Sequence, residues 1–122
     1  MKLLRILSVL AALLVMTGEG YRSWGAGRPA VFWMDDMLAG TMMIAAAFLV
    51  GRPTFATHSF FSAAWGVAVG MLYGSFFGKL YDPASANPGN FSIGVLTWLL
   101  GLAFILSIAG LIASILLPNP RR

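Results

Sequence analysis

Residues 65–78 read WGVAVGMLYGSFFG, which sets Gly66, Gly70, Gly74 and Gly78 four residues apart without a break. In a helix surrounded by water each glycine costs about 1 kcal/mol relative to alanine. Four of them at helical spacing point to surroundings in which that cost is offset. In hydrocarbon every backbone group bonds within its own helix, and small residues let two helix backbones come close. The stretch reads as a membrane helix with one bare edge.

The whole chain agrees with that solvent. Its 122 residues are 59% hydrophobic and only 10% charged, with a mean hydropathy of +0.84, whereas an average soluble domain is about one quarter charged. Too little polar surface is available to cover a fold in water, so the expected partner is a lipid bilayer. At this length the chain forms one domain. It has no cysteine, which excludes disulfides, thiolate metal sites and cysteine nucleophiles. The net charge of +4 comes from eight Lys/Arg against four acids. The basic residues sit singly near the ends of apolar stretches rather than in a patch, so they speak for membrane topology and against nucleic acid.

Four apolar stretches appear, at about residues 3–17, 31–50, 59–78 and 92–117. The first, with Lys2 and Arg5 at its head, resembles a signal peptide. "VMTGEG" after it offers no small-x-small cleavage site, so the segment is read as retained, although it is short for a span of about 20 residues. The links GRPTFATHS and YDPASANPGN are brief and hold turn residues. The predicted fold is all-α: an integral membrane four-helix bundle with up-and-down connectivity and short loops. With both termini on the inner side of a bacterial cytoplasmic membrane, that side holds Lys2, Arg5, Arg52, Arg121 and Arg122, against Arg22, Arg28 and Lys79 outside. The bias favours this orientation. The first loop, with Tyr21, Trp24 and Trp33, is expected to lie along the outer interface.

Helix contacts are the first candidates for a functional role. Counting back by fours from Gly78 gives Gly74, Gly70, Gly66, Ser62, His58 and Thr54, and Gly101 and Gly110 mark similar small positions in the fourth span. Each step of four advances about 40° around a helix, so one straight neighbour reaches three or four of these positions. Packing of the third span on the fourth accounts for both sets. A second copy, or a larger membrane complex, is the other occupant that fits them.

Ionisable residues come next. Asp35 and Asp36 enter the second span near its start, where carboxylates are costly and face protein or water. Being adjacent, they point about 100° apart and cannot share one proton. Lys79 lies at the same level, so the three form either an ion-paired clasp or an ion or proton site. His58, the single histidine, falls at the opposite end as an interfacial or capping residue, or as a possible ligand. Met34, Met37, Met42 and Met43 read as packing. No nucleophile–base pair, phosphate loop or zinc spacing is present, so neither an enzyme nor a cofactor is expected. The role that fits is a structural or accessory membrane subunit acting through helix packing or self-association. The alternative is a small transporter or channel coupled through Asp35 and Asp36.

Overall fold

The computed structural model describes residues 1–25, 34–85 and 92–118. Four helices follow one another: α1 (Lys2–Ser23), α2 (Met34–Leu49), α3 (Phe55–Tyr81) and α4 (Ile93–Leu116), with a short 3-10 turn at Pro83–Ser85. No strand occurs among the described residues. Arg28, Trp33, Asn90, Arg121, Arg122 and the expected start of the second span at residue 31 lie outside them.

The helix boundaries differ from the apolar boundaries, for local reasons. α1 continues six residues beyond Thr17, because Glu19 and Arg22 are 5% and 8% exposed and so remain in protein contact. Thr17 keeps the turn helical by donating its Oγ1 to the Leu13 carbonyl at 2.6 Å. The helix stops where Trp24 turns extended and Gly25 adopts φ +67°, a conformation that suits a residue without Cβ. α3 starts earlier than its apolar run. Thr54 accepts from the Thr57 amide at 3.1 Å and the Thr57 hydroxyl accepts from the Thr54 amide at 2.8 Å. This reciprocal cap draws residues 55–58 out of the link and into the helix. Ser92 caps α4 with a single bond, accepting from the Val95 amide at 3.3 Å.

Three helices, Lys2–Arg22, Phe55–Tyr81 and Ile93–Leu116, are long and apolar enough to cross a membrane. The 16 residues of α2 cover about 24 Å at 1.5 Å per residue. Successive helices are neighbours, and α4 also meets α1. α1 and α2 run antiparallel, for Ser8 Oγ donates to the Met43 carbonyl at 3.1 Å and Arg5 Nε donates to the Ala47 carbonyl at 2.7 Å. Their backbones come close at Gly40, where an added Cβ would strike the Met16 side chain. α3 and α4 share the largest interface.

That interface is not built on the glycine line. The buried residues of α3 are His58, Phe61, Ala64, Trp65, Ala68, Leu72 and Lys79, which, Ala64 apart, recur at steps of three, four and seven. Such a pattern stays on one face of a helix. A strict step of four drifts off it, and at about 100° per residue the four glycines centre roughly 160° from the buried face. A Cβ added at Gly66, Gly70, Gly74 or Gly78 meets nothing within 4 Å. The expected packing of this line on the fourth span is therefore replaced by the reverse arrangement, in which large side chains of α3 fill notches in α4. Trp65 lies in the notch over Gly110, and Phe76 Cε1 is 2.9 Å from where a Cβ at Gly101 would stand. Further along, Tyr73, Phe76 and Phe77 surround Phe104 at centroid distances of 5.9, 6.2 and 6.0 Å.

These two sets of glycines respond oppositely to alanine. Gly110→Ala drives a methyl into the Trp65 ring and lowers stability by about 2 kcal/mol, the usual scale of overpacking. Gly70→Ala, with open space around it, leaves the fold of the single chain at least as stable. Unfolding of both variants in detergent micelles, followed by circular dichroism, checks the contrast.

Candidate functional site

The antiparallel order gathers the chain's four acids at one end of the bundle. Glu19 ends α1, Asp35 and Asp36 open α2, and Asp82 follows α3. Among these, Glu19 and Asp36 approach each other, with Asp35 and Arg22 close enough to act on Asp36 electrostatically. Arg22 Nη1 lies 3.5 Å from Glu19 Oε2, one turn away on α1. Asp35 points elsewhere, is exposed, and accepts the Asp36 amide at 2.8 Å through Oδ1. Its position in the first turn of α2 also suits the positive end of the helix dipole.

Lys79, expected beside Asp35 and Asp36, is 9% exposed on the buried face of α3 and donates to its own helix at the Ser75 carbonyl, 3.4 Å away. The groups acting on Asp36 come from α1 and α2. Around Asp36 the cluster joins α2 to α1 through Arg22 and Glu19, two residues of the loop expected to lie along the outer interface. The apolar run that defined the first span ends before them, and only their burial reveals their part. Gly40 escaped notice for a related reason: a single glycine carries no repeat.

His58 sits at the other end. Thr54 does the capping there, while His58 lies in the first turn of α3, 3% exposed, with its Nε2 making no hydrogen bond among the described residues. Trp65 Nε1, seven residues on along the same face, is in the same condition. The interfacial or capping position expected for His58 is replaced by a buried one. No other histidine or acid stands at that end, and among the described residues no group of three or more metal-binding side chains forms. Ser62 is half-buried, Gly66 half-buried, and Gly70, Gly74 and Gly78 are exposed.

The geometry therefore offers two features for function: a charged cluster linking α1 and α2, and an open glycine edge on α3. No family model, curated protein or solved structure matches the chain. What the protein does has to be argued from these features alone.

The cluster makes an asymmetric prediction. Arg22→Ala removes the cation paired with buried Glu19 beside half-buried Asp36 and destabilises by about 3 kcal/mol, as when one partner of a buried pair is lost. Asp35→Asn, at an exposed site whose Oδ1 acceptor survives in the amide, changes stability by less than about 0.5 kcal/mol. Thermal melting of the two variants, side by side in one detergent, measures the difference.

Proposed function

We propose that this chain is a small polytopic membrane protein whose role is structural, as a self-associating or accessory subunit that binds another membrane helix along α3. The solvent is argued from the surface. Large apolar side chains face outward on every helix, among them Leu14 at 70%, Phe48 at 70%, Trp98 at 75% and Leu116 at 77% exposed. A monomer so covered aggregates in water, and in lipid the same surface is satisfied. A bacterial cytoplasmic membrane, with both termini inside, fits the distribution of basic residues.

The observation that carries the reading is the bare edge of Gly66, Gly70, Gly74 and Gly78, with nothing within 4 Å of any added Cβ. The chain's own interfaces are made elsewhere, by large residues entering notches. A line of glycines at steps of four is the surface on which helices approach closely in lipid, crossing right-handed so that the partner follows the drift of the line. It is of little use against acyl chains, which pack as well on leucine.

A second reading rests on the Glu19–Asp36 contact. A carboxyl pair between α1 and α2, flanked by Arg22, is also the kind of group through which a small transporter couples ions to substrate. It differs from the first in needing flux. Proton or cation flux into liposomes that persists unchanged after Glu19→Gln with Asp36→Asn removes this reading.

For the structural role, Gly70→Leu with Gly74→Leu fills the edge without touching the chain's own core. Mass measurement in mild detergent is expected to show assemblies for the native protein and at least tenfold weaker association for the variant, a loss of about 1.4 kcal/mol or more. Native assemblies that survive the double substitution would sink the interface on α3.

A further inference from the structure

The end of the bundle opposite the acids carries a groove that none of the preceding roles uses. It lies between the start of α1 and the end of α2, has a volume of about 330 Å³, and is walled by Lys2, Arg5, Ile6, Val9, Leu10, Ala47 and Phe48. We infer that this groove binds one anionic phospholipid, its phosphate between Lys2 and Arg5 and the upper part of one acyl chain along Ile6, Leu10 and Phe48. The inference rests on the membrane reading above and is independent of the glycine edge.

Three observations carry it. The first is shape. Lys2, Ile6 and Leu10 stand four residues apart on α1, so cation and apolar wall form one stripe, about 12 Å long at 1.5 Å per residue. Ile6, Leu10 and Phe48 are 48%, 51% and 70% exposed, which leaves the wall open from the side where lipid lies.

The second is preorganisation. Arg5 is held in place by donating Nε to the Ala47 carbonyl at 2.7 Å, and its guanidinium lies against Gly51, with Nη2 2.6 Å from the position a Cβ there would take. Its place is thus set by the backbone of α2, whose C-terminal end favours a cation. An arginine so fixed recognises a phosphate with less loss of freedom than a loose side chain.

The third is charge. All four side-chain carboxylates of the chain are at the far end of the bundle. Around the groove the described charged residues are Lys2, Arg5 and, on the link to α3, Arg52. Lys2 and Arg5 therefore have no acidic side chain of this chain to balance them, and the first turn of α1 contributes no acid and no side-chain cap. Two fixed positive charges above an apolar slot match an anionic headgroup above its own acyl chain. A zwitterionic lipid matches the slot and fails to match the charge.

The full chain, purified in mild detergent, tests this by native mass measurement with phosphatidylglycerol or phosphatidylcholine of identical acyl chains. The native protein is expected to retain one phosphatidylglycerol and to prefer it over phosphatidylcholine. Lys2→Gln should weaken retention about fivefold, as for one charge near a lipid surface, and Phe48→Ala should weaken it also. Both residues are exposed, so the variants fold, and circular dichroism verifies it. Arg52→Gln, at the same end but outside the groove, should change nothing. Equal retention of the two lipids overturns the proposal, as does an Arg52→Gln effect equal to that of Lys2→Gln, which would mean diffuse attraction. Competition by glycerol phosphate as effective as by whole lipid also overturns it, because the acyl wall would then be idle. A chain that is monodisperse in water without detergent defeats the membrane reading itself, a result distinct from lipid indifference in micelles.

Discussion

The entry of Trp65 into the notch at Gly110 is the contact on which the bundle's second half depends. It fixes the rotation of α3 about its own axis, and that rotation decides everything else the helix presents. With Trp65 inward, Phe61, Ala68 and Leu72 are also inward, one or two turns away on the same face. Phe76 then reaches Gly101. Lys79 is carried to the interior at the acid-bearing end and His58 at the basic end. The glycines are turned away by the same constraint, because a step of four and an alternation of three and four cannot share a face for long.

The architecture was largely legible in the residues, and the details were not. Four apolar stretches in order, divided by Pro- and Gly-rich links, suffice to indicate four antiparallel helices. What failed was the identification of contacts from small residues alone. Gly101 and Gly110 receive side chains, while Gly66 to Gly78 do not, although all of them look alike in sequence. The difference lies in the large residues opposite, Trp65 and Phe76, because the rotation of one helix against another is set by such pairings and not by the glycines themselves. Helix ends failed for another reason. Hydropathy locates apolar runs, whereas Thr54 and Thr57 start α3 through hydrogen bonds, and buried Glu19 and Arg22 prolong α1.

The polar interior is economical. Ser8 donates across to α2 at the Met43 carbonyl, while Ser107 and Ser114 donate within α4 to the Phe104 and Leu111 carbonyls at 2.7 and 2.8 Å. Small hydroxyl residues that satisfy themselves on their own helix behave in packing as slightly enlarged alanines. They let α4 lie close to its neighbours without leaving a donor stranded. His58 and Trp65 are the exceptions among the described residues, each keeping a ring nitrogen without a hydrogen bond as the consequence of a well-filled aromatic face.

The separation of carboxylates from Lys2, Arg5 and Arg52 gives the molecule a lengthwise electrical polarity. A membrane potential acts on such a polarity with about 2.3 kcal/mol for each unit charge carried across 100 mV. Were the chain to span an energised bilayer, negative inside, as proposed above, the basic end would be drawn to the interior and the acidic end repelled from it. On the membrane reading proposed above, orientation would then be held by the cell's own voltage as well as by the act of insertion, and the hold would slacken whenever the voltage collapses.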